Sequence, residues 1–218
     1  MVTQLKRGIR DPSRVTVKVG RRVLVTMDEL TVHRMRLKVG VEITDAMVGP
    51  LREAAEEDRV KRLALRRLER SMCSEGGLLD SLKRRGASPE AAAKVAGSLK
   101  ALGLLDDDEF ARVKARAILT RRPAGRRLIE SKLIAAKVKP ERARLAAAEA
   151  MKGRDALEDA LGVARRAARS LPSRLDADAK RRRLFGTLAR RGFEADVVRR
   201  VVEKVLGRGG ETNGEECE

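Results

Sequence analysis

Between residues 14 and 27 apolar positions alternate with polar ones: Val15, Val17 and Val19 share one face, Gly20-Arg21 interrupts, and Val23 and Val25 continue with Leu24 opposite. Alternation with a period of two on both sides of a Gly-containing pair predicts a small β-hairpin. Leu37 to Ile43 predicts one further short strand, and Thr44-Asp45 a helix cap whose helix is interrupted by Gly49-Pro50. This piece holds too few apolar residues for stability alone and is expected to pack on the chain beyond it.

From Leu51 the period becomes helical. Val60, Leu63, Ala64, Leu68 and Met72 recur at three- and four-residue steps and predict one apolar stripe on a long charged helix. Gly76-Gly77 weakens helix around it; Leu78, Leu79 and Leu82 then carry a short helix to Gly86. Ser88 and Pro89 open the next, through Val95, Leu99 and Leu102 to Gly103. A second group starts at Asp106, offers Phe110, Val113, Ala117 and Ile118 to a core, and breaks at Arg121-Arg122-Pro123-Ala124-Gly125. It resumes with Leu128, Ile129 and Leu133, and again from Pro140 with Leu145, Ala148 and Met151. The third carries Leu157, Leu161, Ala164 and Ala168, stops before Pro172, restarts at Asp176 or Asp178 through Leu184 and Leu188 to Gly192, and ends with Val198, Val201, Val202 and Val205 before Gly207. The coarse expectation is nine helices in three units.

These units share a phrase. Leu82-Lys-Arg-Arg-Gly86-Ala-Ser-Pro89 returns as Leu133-Ile-Ala-Ala-Lys137-Val-Lys-Pro140 and as Leu188-Ala-Arg-Arg-Gly192-Phe-Glu-Ala195, at spacings of 51 and 55 residues. In each copy a helix ends on Leu, turns at Gly or Lys, adds one apolar residue and restarts, as tandem modules of a few short helices do. The leucines Leu82, Leu133 and Leu188 are therefore expected at equivalent buried positions. The fold class expected on these grounds is mainly α: tandem three-helix repeats in an elongated array with a small N-terminal β-hairpin extension. Its expected parts are the extension (1–50), three repeats (51–104, 105–153 and 154–207) and a disordered acidic tail (208–218).

Composition narrows the function. The chain lacks Trp and Tyr and has only Phe110, Phe185 and Phe193, so the aromatic platforms on which many single-strand binders stack bases are excluded. The formal net charge of +18 is unevenly spread: +5 over residues 1–50, zero over 51–110, +9 over 111–150, +7 over 151–207 and −3 in the tail. A cationic second half points to polyanions such as nucleic acid or a nucleoprotein surface. Two cysteines, Cys73 and Cys217, exclude a disulfide framework and fit a reducing cytoplasm. No apolar leader or membrane-length stretch occurs, so a soluble, non-exported protein is expected.

Sites with catalytic chemistry are hard to assemble from these residues. Asp106-Asp107-Asp108-Glu109 sits after a helix-ending Gly and before an apolar helix, where acids cap and oppose the helix dipole, with Asp106 as the cap. His33, the single histidine, has no nucleophile motif beside it, and no Gly-x-x-x-x-Gly-Lys-Ser/Thr loop exists. No catalytic residue, metal or cofactor is expected. There remain the basic runs: Lys83, Arg84 and Arg85; Arg121 and Arg122; Arg126 and Arg127; Arg181 and Arg182 within Lys180 to Arg183; and Arg190 and Arg191. Each cation that neutralises a phosphate adds salt-dependent affinity irrespective of base sequence. Taken singly, such a run is equally a solvated helix terminus; taken together, the summed field favours binding.

Two motifs stand out: Leu99-x-x-Leu102-Gly103-Leu104-Leu105-Asp106-Asp107-x-x-Phe110-Ala111 and Leu188-x-Arg190-Arg191-Gly192-Phe193. They are similar to the L-x-x-x-G-x-L-[DN]-D-x-x-[FY]-A and L-x-R-R-G-F of the RecX family, the regulators of the RecA recombinase, and this resemblance covers residues 56–206. Ser74-x-x-Gly77-Leu78 with Leu82 and Gly86, and Gly125-x-x-Leu128 with Leu133, support it. The resemblance implies a monomeric, non-enzymatic, cytoplasmic protein of recombinational repair and the SOS response. It would lie in the groove of the RecA–DNA filament and limit filament extension, ATP hydrolysis and strand exchange, with single-stranded and double-stranded DNA as further partners. A helix-turn-helix protein reading duplex DNA without a recombinase is the alternative.

Overall fold

The computed structural model of the protein describes residues 1–9 and 11–207; the tail expected to be disordered lies outside the described residues. The chain divides into two compact units, the first ending at Asp106 and the second starting at Asp107.

The first unit opens with a three-stranded antiparallel sheet in chain order, β1 (Val2–Arg7), β2 (Arg14–Val19) and β3 (Arg22–Asp28). The β2–β3 hairpin stands where alternation placed it, with Val17 opposite Val25 and Val15 opposite Met27. The strand expected over Leu37 to Ile43 does not form. That segment is irregular; Gly40 donates to the Val2 carbonyl at 2.9 Å and Val2 to the Val41 carbonyl at 2.7 Å. The third strand is β1, whose pattern of one buried Val2 and one half-buried Leu5 among exposed polar residues is too sparse to signal a strand. A short helix, α1 (Glu29–Arg34), also escapes the periodicity because it is only six residues long.

Helix α2 (Asp45–Arg70) continues through Gly49-Pro50, correcting the expected interruption. A proline this near the start forfeits a single intrahelical bond, and the next residue, Leu51, is fully buried under the sheet with Met47 and Ala55 packed beside it. Its downstream half turns a different stripe, Val60 and Ala64, into a second core with α3 (Glu75–Arg84) and α4 (Pro89–Ala101). Between these stripes, buried Asp58 accepts the Asp28 backbone N–H at 2.8 Å and the Thr31 hydroxyl at 3.0 Å, tying α1 to α2. Gly76 and Gly77 lie inside the first turn of α3, which Ser74 caps by accepting the Gly77 N–H at 3.0 Å. Met72 lies beyond α2 and is exposed.

The second unit holds two three-helix cores. One comprises α5 (Asp107–Arg121), α6 (Arg126–Ala135) and α7 (Pro140–Met151); the other α8 (Ala156–Arg169), α9 (Ala177–Arg190) and α10 (Ala195–Leu206). In the first of these Phe110, Ile118 and Met151 join the core as expected, but the rest of the stripe is rotated from the one expected. Ala111 and Ala115 of α5 and Ala143, Ala146 and Ala147 of α7 are buried, whereas Val113, Ala117, Leu145 and Ala148 are exposed. Alanine faces let helices approach closely, so the small residues claim the interface and Leu145 is left 72% exposed. Leu102 is likewise exposed, at the C-cap of α4.

The repeated phrase is one physical device used three times. Leu82, Leu133 and Leu188 are each fully buried, one in each helical core. Each accepts through its carbonyl from the residue five positions on, Ala87 and Val138 at 3.1 Å and Phe193 at 3.3 Å. The residue before that donor has positive φ: Gly86 at 71°, Lys137 at 66° and Gly192 at 77°. This is the Schellman closure, in which a left-handed residue turns the chain and an apolar residue after it covers the helix end.

Candidate polyanion-binding surface

Most of the basic runs sit where helix ends place cations. Lys83 and Arg84 end α3, followed by Arg85; Arg121 ends α5, followed by Arg122; Arg190 ends α9, followed by Arg191. There the partial negative charge of the dipole favours them. Only the first and third of these runs share a repeat position, because the middle copy of the phrase has Ala135 and Ala136 instead. Arg126 and Arg127 open α6, the end where a cation is opposed, and both are neutralised: Arg126 by Glu130 at 2.7 Å and Arg127 by Glu194 at 2.8 Å. Arg181 spends one N–H on the Gly207 carbonyl at 2.8 Å. Arg182 and Arg190 are exposed, as are Lys83, Arg84 and Arg85 of the first unit.

The run at the end of α5 is the best situated for an anion. Arg121, Arg122 and Arg191 line two adjoining cavities of about 670 and about 470 Å³. Lys114 and Lys132 extend the first, beside Ile118 and Leu128, and Arg166 extends the second. Among the described residues no carboxylate lines either one. Arg121 and Arg122 are exposed and have no ion-pair partner among the described residues. Arg191 is half-buried and donates to the Pro123 carbonyl at 3.4 Å. Six cations around a partly apolar concavity form a site that attracts phosphate or clustered carboxylates. Arg166, Lys114 and Lys132 stand outside the basic runs that the sequence marks as candidates. Arg165-Arg166 is a legible pair, but the two lysines are isolated and only folding gathers them.

Beside the cleft, a backbone joint links the two cores of this unit. Gly125 N–H donates to the Arg191 carbonyl at 2.8 Å, and Arg127 N–H to the Gly192 carbonyl at 3.3 Å. The approach is so close that a Cβ on Gly125 would stand 2.1 Å from the Gly192 oxygen, and one on Gly192 would stand 2.1 Å from the Leu128 nitrogen. Arg127, Arg191 and their neighbours thus belong to a structural seam as well as to a charged surface. The seam bonds are made by main-chain groups of Arg127 and Arg191, and the Arg191 side chain adds the bond to Pro123.

The acidic segment is occupied otherwise. Asp106 immediately precedes α5 and Asp107 is buried in its first turn; Asp108 pairs with Arg142 at 3.2 Å and Glu109 with Arg112 at 2.7 Å. His33 is exposed on α1, 4.0 Å from Glu29. Among the described residues no helix is long and apolar enough to cross a membrane.

Comparison with known proteins converges on one family. Residues 154–202 match the family model described as "RecX, third three-helix domain". The "Regulatory protein RecX" of Chlorobaculum tepidum is 32% identical over 144 residues, which are 66% of this chain and 86% of that protein. A crystal structure of regulatory protein RecX superposes with a TM-score of 0.71 at 18% identity, covering 92% of this chain and 98% of that one. That of RecX from Lactobacillus salivarius gives 0.60 at 17% identity, covering 69% and 96%.

Proposed function

The chain belongs to the RecX family, and on that footing we propose that it is a non-enzymatic regulator that binds the RecA–DNA filament and restrains its extension, ATP hydrolysis and strand exchange. The observation that carries this reading is the carboxylate-free cleft around Arg121, Arg122, Arg166 and Arg191. A filament of recombinase on DNA is a repeating polyanion, and cations on a rigid support lose little freedom when they meet it. Contacts of this kind are indifferent to base sequence, as a protein that acts wherever a filament forms requires.

Recombinase ATPase measured against added protein, on matched single-stranded DNA at several salt concentrations, tests the proposal. Wild-type protein is expected to suppress turnover. Replacing Arg121, Arg122 and Arg166 together by Ala should weaken suppression and take about 2 from the slope of log affinity against log salt, roughly 0.7 for each phosphate no longer neutralised. Unchanged ATPase at saturating wild-type protein would reject the regulator. Tight binding to one duplex sequence, with no effect on turnover, would replace it by a helix-turn-helix DNA reader.

A further inference from the structure

The third repeat presents an exposed aromatic ring in a basic setting. Phe110 and Phe193 are buried, whereas Phe185 is 43% exposed. It follows Leu184, which is fully buried in the core of α8, α9 and α10; one helical step of about 100° turns the Phe185 ring off that stripe. The ring stands in a concavity of about 400 Å³ between α9 and α10, with Arg181, Arg182 and Arg199 around it and Gly186 and Val202 beside it. Gly186, inside a helix where Ala is preferred, puts no side chain next to the ring. Among the described residues Glu203 is the one carboxylate in the lining. Arg182 and Arg199 are exposed and unpaired among the described residues, and Arg181 keeps further N–H donors beyond the one given to Gly207.

A flat apolar face ringed by guanidinium groups matches the two features of each nucleotide in an unpaired strand, a free base face and a phosphate on either side. In a duplex the base faces are already stacked and the ring would gain nothing. An acidic peptide would engage the arginines but has no planar group to use the ring. We propose that this concavity holds one nucleotide of a single-stranded DNA, its base stacked on Phe185 and its flanking phosphates on Arg182 and Arg199. One ring does not make the multi-aromatic platform that the composition excludes, but it suffices for one base. The choice of DNA over RNA rests on the recombinase reading above; the site itself does not.

The chain has no Trp or Tyr, so Phe185→Trp supplies a single fluorophore at the site. Titration of that full-length variant with a 20-residue oligothymidylate is expected to quench its emission. Phe185→Leu, which keeps apolar volume without a ring, should weaken oligothymidylate binding by about 5- to 150-fold, the range for loss of one base–aromatic stack. Binding of a duplex of equal length should stay unchanged, as should the thermal melt followed by circular dichroism. Absence of quenching would overturn the proposal, as would equal losses for single strand and duplex. Polyglutamate that quenches as strongly as the oligonucleotide would reassign the site to acidic polypeptides, and tighter quenching by oligouridylate would overturn the choice of DNA. No recombinase is present, so failure here and failure of the regulator reading are separate results.

Discussion

The turns at Gly86 and Gly192 are written with the same letters, Arg-Arg-Gly, and closed by the same backbone hydrogen bonds, yet they do different work. At Gly86 the turn is open: Arg85 and its neighbours are exposed and nothing lies within 4 Å of where a Cβ would be. Two side chains of α2 clamp it, Arg59 donating to the Gly86 carbonyl at 2.7 Å and Glu56 accepting the Ser88 N–H at 3.3 Å. At Gly192 the turn is driven into the start of α6, main chain against main chain, and Arg191 is drawn to the Pro123 carbonyl. Local sequence specifies the turn; the neighbouring helix decides whether its cations are free charges or part of a joint.

The two turns should separate most sharply at the glycines themselves. Gly86→Ala forces a left-handed alanine into open space and should cost about 1–2 kcal/mol. Gly192→Ala adds a backbone collision to the same strain, for about 2–5 kcal/mol in all. Gly125→Ala, at a residue whose φ is −79°, has no left-handed strain and isolates the collision alone. Denaturant unfolding of the three variants checks the order, and equal losses at Gly86 and Gly192 would show that the seam contributes nothing.

A smaller separation is expected between Arg85→Ala and Arg191→Ala. The first removes an exposed charge and should change stability by no more than about 0.5 kcal/mol. The second removes the bond to Pro123 and should cost about 1 kcal/mol. It also takes a cation from the cleft, so Arg191→Ala should weaken polyanion binding and stability together. The pair is compared by unfolding midpoint and by salt-dependent oligonucleotide binding.

Both turns are legible in the sequence. Leucine-to-turn spacing locates all three helix ends, because a buried Leu, a left-handed residue and an apolar cover are local requirements that each copy meets. The same stretches carry the family motifs. The features that stay hidden depend on partners distant in sequence. Apart from Phe110, the buried residues of α5 and α7 include Ala111, Ala115, Ala143, Ala146 and Ala147, which give little hydrophobic signal, so periodicity favours Val113 and Leu145 instead. Strand β1 is held by β2 and by residues 40–41 rather than by its own pattern. For the basic surface, sequence identifies the arginines but not their employment: Arg126 and Arg127 read as free charge and are paired, while Lys114 and Lys132 read as nothing and line the cleft.

Acidity offers the finest distinction between the two turns. Two hydrogen bonds from the Arg59 guanidinium to Glu56, at 2.8 Å each, hold the Glu56 carboxyl below its ordinary value of 4.5, with the Ser88 N–H adding to the effect and partial burial opposing it. A carboxyl whose folded value is depressed stabilises the fold fully above its unfolded value, and that contribution is lost as pH falls through the folded value. The clamp on the Gly86 turn should therefore persist above about pH 4.5 and loosen progressively below it. The Gly192 joint is made of peptide groups that do not titrate. Amide-exchange protection factors, corrected for intrinsic rates, should fall at Ser88 as pH drops from 6 to 3 while those at Gly125 and Arg127 hold. In Glu56→Gln the protection at Ser88 should be lower at pH 6 and lose its acid dependence. Parallel decay at Ser88 and Gly125 would mean that both turns open in one cooperative event and that the side-chain clamp has no separate role.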